Sequence, residues 1–232
     1  MNINAIASTP LKIPMPAQPK VEQQTAAATA KPERMLTAAE EFSKKFYSKE
    51  AEPWNSNVDD FSETERFELG DRPTTREGYV EQQYNRCSAQ LGKQYYLYTQ
   101  FMEDLHFMDP DVAQKNWSYT LGPNGEIKVL DPKGNLTDAE TDRLTEALNT
   151  FKTPNLGSFK ENIQINAKTI MRIVDHDTKT FEGKYKLDLL NFHENIDYGK
   201  INFLKNERND DWRSQMLKAG DLRNSPKIDV LA

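Results

Sequence analysis

The sequence predicts a mainly α-helical domain of the α+β class, which carries one small antiparallel β-hairpin and follows a disordered N-terminal arm. Three observations support this prediction. Aromatic residues are absent before Phe42 and recur from there to Trp212, so the material for a core lies outside the N-terminal part. Apolar residues spaced three and four apart run through several long stretches, as in amphipathic helices. Two short alternating runs flank a Pro-Asn-Gly turn, which is typical of a hairpin.

Composition divides the chain into four segments. Residues 1–34 contain five prolines and seven alanines, which give little to bury, and this leader is predicted to be disordered. Residues 35–74 are predicted to be irregular or to be a partner-binding segment that orders on contact. Residues 75–225 form the predicted globular domain, and residues 226–232 a loose tail.

The first predicted helix begins after Thr37 and continues to about Lys49. Thr37 and Glu40 have the spacing of a capping box, in which each side chain accepts a hydrogen bond from a backbone amide at the start of the helix. The apolar stripe of this helix consists of Leu36, Phe42 and Phe46.

The strongest periodicity predicts a helix of about eight turns over residues 75–105. Its apolar positions, interrupted only by Gln94, are Val80, Tyr84, Cys87, Leu91, Tyr98, Phe101 and Leu105. We expect these side chains to face the core and Cys87 to be a buried apolar residue rather than a reactive thiol. Asp109-Pro110 is expected to end the helix.

A hairpin over residues 117–130 and four further helices are predicted after this break. A second capping box, formed by Thr137 and Glu140, opens a helix with Leu144, Ala147, Leu148 and Phe151 facing inward. The next helix ends near Asp177 and has an inward stripe of Phe159, Ile163, Ala167, Ile170 and Val174. A short helix is expected over 188–195, and a last one over 207–219, where Gly220 is expected to stop it.

Charge and motif content exclude several classes of function. The net charge of −6 and the lack of clustered Lys and Arg argue against nucleic acid as a partner. The single cysteine rules out an internal disulfide and fits folding in a reducing compartment. No apolar run is long enough to predict a membrane span. No GxGxxG, GxxxxGK[ST], GxSxG or HExxH motif occurs, and no cofactor is predicted.

The candidate catalytic residues are His193, His176, Asp175 and Asp177. A histidine beside carboxylates has the groups of a general base or of a metal site. Neighbouring residues on a helix point about 100° apart, however, and a helix-terminal histidine is better explained as a cation at the negative end of the helix dipole. His193 lies in a polar cluster between apolar residues, which indicates a semi-buried network.

A metal site has weaker support from spacing. The three histidines, His106, His176 and His193, show no HxxxH or HxH pair that would place two ligands on one face. Asp131-Pro-Lys-Gly-Asn resembles a calcium loop, but Lys133 occupies a position where an oxygen ligand is needed. A turn followed by a helix cap explains this stretch better.

The N-terminal stretch MNINAIASTPLKIP contains Ile3, Ser8 and Thr9, and no acidic residue precedes Glu22. It resembles the export leaders of type III secreted effectors, which Gram-negative bacteria inject into host cells. The resemblance covers about 35 residues and is compositional. It implies that the protein resides in the bacterial cytoplasm before export by a non-Sec route. It also implies that a secretion chaperone binds residues 35–74.

Three functions follow from these observations. The first is an exported bacterial effector-like or interaction protein that acts by binding a protein. The second is a small hydrolase-type enzyme using His193 or His176 with nearby carboxylates. The third is a cytosolic accessory protein with a disordered arm.

Overall fold

The computed structural model describes residues 35–55, 72–181, 183–201 and 211–224. Within these ranges the chain forms eight α-helices, two short 3-10 turns and two antiparallel strand pairs, and the predicted fold class is confirmed. The described elements from Leu36 onward belong to one compact unit. The predicted leader over 1–34, the 56–71 part of the irregular segment and the predicted tail over 226–232 lie outside the described residues.

Two long helices that pack along each other form the centre of the fold. Helix α2 extends over Arg76–Met108, and helix α5 over Phe159–His176. Thr75 and Ser158 cap their first turns through their side chains. All five predicted inward positions of α5 are buried, which confirms its stripe.

The predicted stripe of α2 is only partly correct. Phe101, Leu105 and Cys87 are buried as expected, and Leu97, which was not predicted to face the core, is buried too. Four predicted core positions, however, are only partly buried: Val80, Tyr84, Leu91 and Tyr98. The stretch from Gln82 to Gln94 instead buries polar side chains: Gln82, Gln83, Arg86, Gln90 and Gln94.

A polar contact surface between α2 and its neighbours explains this difference. The amide of Gln94 donates to the Tyr119 hydroxyl at 3.0 Å, and Asn166 of α5 donates to the carbonyl of Cys87 at 3.4 Å. Long amide side chains bury their methylene stems. Not every polar end is satisfied, because among the described residues Gln83 Oε1 and both side-chain polar atoms of Gln90 have no hydrogen-bond partner. Apolar periodicity alone does not detect such a surface.

The predicted hairpin is confirmed. Strand β1, Ser118–Leu121, pairs antiparallel with β2, Ile127–Leu130, and Gly125 adopts a φ of 76° in the connecting turn. The strand β1 is buried along its whole length. On one side it meets the 3-10 turn Tyr198–Lys200, with Gly199 directly against Ser118.

Smaller helices surround this centre. Helix α1, Ala38–Phe46, has the predicted Thr37–Glu40 capping box, and its Phe42 ring lies against the hairpin turn at Gly125. The other helices are α3 (Pro110–Ala113), α4 (Asp138–Thr150), α6 (Thr178–Phe181), α7 (Phe192–Asn195) and α8 (Trp212–Asn224). The second capping box opens α4 as predicted. A strand pair not predicted, β3 (Lys152–Thr153) with β4 (Gly157–Ser158), joins α4 to α5.

The prediction that Gly220 stops the last helix is wrong, because α8 continues to Asn224. Glycine inside a helix costs only about 1 kcal/mol, which neighbouring helical residues can offset. The predicted start of this helix, near Glu207, lies outside the described residues.

Candidate functional site

The sequence-predicted cluster Asp175-His176-Asp177 lies at the C-terminal end of α5. His176 is the last residue of this helix, and Asp177 is its C-cap. Each of the three side chains has different partners.

His176 is a buried aromatic residue, with 4% of its surface exposed. Its ring packs nearly perpendicular to the rings of Trp54 and Tyr79, with centroids 5.6 and 5.5 Å away. Burial lowers the pKa of His176, and the nearby cations, Lys49 first, lower it further, while Asp175 opposes them. The imidazole is therefore neutral at pH 7. The expectation of a histidine cation at the negative end of the helix dipole is corrected accordingly.

Asp175 ties α5 to the segment that follows α1. Its carboxylate accepts a 2.7 Å hydrogen bond from the Tyr47 hydroxyl and lies 3.5 Å from the Lys49 ammonium. Lys49 also donates to the backbone carbonyl of Asp175 at 3.2 Å. Burial, followed by this hydrogen bond, raises the pKa of Tyr47 well above its usual range. The carboxylate is thus engaged in a structural contact.

Asp177 faces another side of the helix end. One carboxylate oxygen accepts the Tyr84 hydroxyl at 2.7 Å, and the other accepts the backbone amides of Lys179 and Thr180. Burial on its own would raise the pKa of Asp177, but hydrogen bonds from Thr180 and Tyr84 outweigh it and lower the pKa. Asp177 therefore caps α6 and stays ionised.

His193 lies on a different element. It belongs to α7, which packs against β1 and α8, and its side chain is half-buried. Among the described residues its Nδ1 has no hydrogen-bond partner. His106 is exposed in the last turn of α2, where its Nδ1 lies 2.7 Å from the carbonyl of Met102. The structure does not gather these histidines into one centre.

No part of the chain that the structure describes holds three His, Cys, Asp or Glu side chains placed to bind a metal ion. The calcium-like stretch is a self-contained turn, in which Asp131 accepts the amide of Leu136 at 2.7 Å. That bond and further backbone amides lower the pKa of Asp131. In the same described part of the chain, no helix combines the length and apolar character needed to cross a membrane.

A cavity of about 360 Å³ opens beside His176, between α1, α2 and α5. We name it the cationic pocket, because its lining includes five cationic residues: Lys44, Lys45, Arg72, Lys168 and Arg172. The one acidic residue among its described lining residues is Glu50. Its other walls include Trp54, Tyr79 and His176.

Several elements position these cations. Lys44 and Lys45 occupy the last turn of α1, where the helix dipole favours positive charge. Lys168 and Arg172 are four residues apart on α5 and so share one face. The Lys168 ammonium lies 4.7 Å from the centroid of the Phe46 ring. Arg72 precedes α2 and donates to the carbonyl of Pro53 at 3.2 Å.

In the part of the chain that the structure describes, no carboxylate pairs with the cations at the α1 side of the cationic pocket. Among the described residues, Lys44, Lys45 and Arg72 form no ion pair, and Asp175 is not part of the lining. The chain as a whole has a net charge of −6, so the positive local charge of the cationic pocket is opposite in sign to that of the protein. A cleft in which positive charge predominates attracts anionic ligands.

A second cavity, of about 420 Å³, lies on the other side of His176. Its lining mixes three acidic and two cationic residues: Glu77, Glu81, Asp177, Arg76 and Lys179. Mixed charge of this kind does not select a ligand of either sign.

Comparison with protein-family models, with curated proteins and with solved structures gave no match in any of the three. The geometry of the site therefore carries the functional interpretation.

Sequence reasoning missed the cationic pocket. Lys44-Lys45 is visible as a basic pair, but Glu50 and Glu52 follow it closely and hide its significance. Lys168 and Arg172 show a four-residue spacing on a helix, which is the one local signal that was available. Only the packing of α1 on α5 brings the two pairs around one cavity.

Proposed function

We propose that the protein is an exported interaction protein that binds a partner protein by taking an anionic group of that partner into the cationic pocket. The observation that carries this proposal is the convergence of five cations and an aromatic wall on one cavity of an acidic protein. Clusters of Arg and Lys beside aromatic surface are a recurring means of recognising acidic or phosphorylated segments.

The hydrolase alternative has less support from the geometry. Among the described residues, no hydrogen bond joins His176 to a carboxylate, because Asp175 and Asp177 accept hydroxyl hydrogens from Tyr47 and Tyr84. A general base needs an orienting partner and an accessible proton path. Since His176 is enclosed by Trp54 and Tyr79, it is better placed to build the pocket wall than to act on a substrate.

Export is the second part of the proposal, and its support is the leader of residues 1–34, in which no acidic residue precedes Glu22. The route would be type III secretion, with a chaperone at residues 35–74. Residues 35–55 contact the body of the protein through Phe42, Phe46 and Tyr47. A chaperone that binds this segment would therefore compete with these intramolecular contacts.

Binding is tested with the full chain and two fluorescein-labelled peptides, one rich in glutamate and its glutamine counterpart. We expect the glutamate peptide to bind, and we expect its affinity to fall as the ionic strength rises. The variant Lys44→Gln/Lys45→Gln should weaken binding about tenfold, because each removed charge contributes up to about 1 kcal/mol. The control is Lys128→Gln/Lys133→Gln, which makes the same charge change at two exposed lysines away from the cationic pocket. Equal affinities for the two peptides would overturn the proposal.

Export is tested with a reporter fused behind residues 1–50, in bacteria with and without a functional type III apparatus. Translocation only in the competent strain is the expected result. Equal amounts of exported reporter in the two strains, or none in either, would refute this part of the proposal and leave the binding part intact.

A further inference from the structure

We infer that the group bound by the cationic pocket is a phosphate monoester on a tyrosine of the partner protein, rather than a carboxylate. This inference rests on the proposed function, since it names the chemistry of the anion for that same pocket. Three features of the pocket favour phosphotyrosine: its charge, the directions of its donors and its aromatic wall.

The charge of the cationic pocket exceeds what one carboxylate would balance. Among the described residues, Lys44, Lys45 and Arg72 form no ion pair, and the one carboxylate in the described lining is that of Glu50. Gathering like charges around a cavity is unfavourable until an anion enters. A phosphate monoester carries a charge of about −1.5 to −2 at pH 7, whereas a carboxylate carries one negative charge. The electrostatic attraction to this cluster of cations is therefore stronger for the phosphate dianion than for a carboxylate.

The donors approach the cavity from different elements. Lys44 and Lys45 come from α1, Arg72 from the chain before α2, and Arg172 from α5. A phosphate monoester presents three terminal oxygens in a tetrahedral arrangement, while a carboxylate presents two oxygens in one plane. Donors that converge from three directions suit the tetrahedral group. The planar guanidinium of an arginine can also hold two phosphate oxygens at once.

The aromatic wall indicates what carries the phosphate. The half-buried Trp54 lines the cavity beside Pro53 and Pro73, which gives it apolar surface next to the cations. The Trp54 ring is held in place by Tyr79 at 6.1 Å between centroids and by the Arg76 guanidinium 5.2 Å from its centroid. An aromatic ring of the ligand would bury its face or edge against Trp54. The short stem of phosphoserine offers no such contact.

The test measures the binding of three fluorescein-labelled peptides to the full chain at one ionic strength. The peptides share one sequence and carry phosphotyrosine, phosphoserine or glutamate at the central position. We expect phosphotyrosine to bind most tightly, with at least about a tenfold advantage over glutamate. Phenyl phosphate should displace the peptide at lower concentration than inorganic phosphate does.

Four variants locate the binding and separate its causes. Lys44→Gln/Lys45→Gln should reduce the affinity for the phosphotyrosine peptide by about tenfold or more. Lys128→Gln/Lys133→Gln should keep this affinity within about twofold of the wild-type value. Arg172→Lys keeps the charge but removes the planar fork, so it should reduce the preference for phosphate over glutamate. Trp54→Leu should reduce the preference for phosphotyrosine over phosphoserine. Circular dichroism and the thermal midpoint of each variant confirm that it folds.

The outcomes distinguish the inference from the proposed function. If the glutamate peptide binds as tightly as the phosphotyrosine peptide, the inference is overturned and the proposed function stands. If the lysine pair variant binds every peptide like the wild type, or no peptide binds, both are overturned. Binding to phosphoinositide-containing vesicles without binding to any peptide would also overturn both, since the ligand would be a lipid surface.

Discussion

The hydroxyl of Tyr47 donates a 2.7 Å hydrogen bond to the carboxylate of Asp175, although the two residues lie 128 positions apart in the chain. This bond joins the end of α1 to the end of α5, the two elements that supply four of the five cations of the cationic pocket. The Lys168 ammonium beside the Phe46 ring adds a second contact between the same elements. The position of α1, and with it the shape of the cationic pocket, depends on these contacts.

Replacing Tyr47 with phenylalanine should lower the free energy of unfolding by about 1–3 kcal/mol, because the largely buried carboxylate of Asp175 loses a hydrogen-bond donor. Urea unfolding monitored by circular dichroism measures the change. Tyr96→Phe is the matched control, since Tyr96 is 62% exposed, and its effect should stay within about 0.5 kcal/mol. Equal effects of the two substitutions would show that the Tyr47 bond does not hold α1 in place.

His176 should make the protein less stable in mild acid. Its pKa is lowered in the folded state, so below its ordinary value of 6.5 the unfolded chain binds a proton that the folded chain does not. Stability is therefore fully present above pH 6.5 and falls as the pH drops below it, by at most about 1.4 kcal/mol per pH unit. Urea unfolding at several values between pH 7.5 and pH 5 measures this dependence.

The control for this pH dependence is His176→Phe, which keeps a ring between Trp54 and Tyr79 but cannot titrate. His106, His193 and the carboxylates are common to both proteins, so their contributions cancel in the difference. The variant should lose less stability than the wild type over the same pH range. Parallel curves for the two proteins would contradict a buried, neutral His176.

Local signals in the sequence predicted the parts of the fold that local chemistry determines. The Thr137–Glu140 capping box and the stripe of α5 are examples, because a cap needs residues only three apart and a stripe follows the helical repeat. The polar face of α2 was not predictable in this way. Gln94 is buried because Tyr119 of β1 offers it a partner, and sequence spacing does not reveal that pairing.

The cationic pocket escaped prediction for a related reason. Its residues come from three separate stretches of the chain, and each stretch alone looks like an ordinary charged surface. Lys45 and Arg172, for example, line one cavity only because α1 packs on α5. The sequence did draw attention to His176, but as a catalytic candidate rather than as part of an aromatic wall.

Cys87 should resist thiol reagents in the folded protein. It is 2% exposed, and burial raises its pKa to about 12, an effect that the hydrogen bond from Asn166 only partly offsets. A chromogenic disulfide reagent at pH 8 should react at least about a hundredfold more slowly with the native protein than with the unfolded chain in guanidinium chloride. A native rate close to the unfolded rate would mean that the contact between α2 and α5 opens readily.

The last prediction concerns the close approach of the Tyr198–Lys200 turn to the hairpin. A Cβ atom at Gly199 would lie 2.3 Å from the Cβ of Ser118 and 2.9 Å from its Cα, so the backbone of β1 would have to move. Gly199→Ala should therefore lower the free energy of unfolding by about 1–3 kcal/mol.

Gly92 on α2 provides the opposite case, because nothing lies within 4 Å of a Cβ placed there. Gly92→Ala should raise the free energy of unfolding by about 0.5–1 kcal/mol, since alanine loses less backbone entropy than glycine when the helix forms. Urea unfolding of both variants under one set of conditions measures the pair. The same sign of change for both substitutions would contradict the packing of β1 against Gly199, because the backbone entropy effect alone favours alanine at either position.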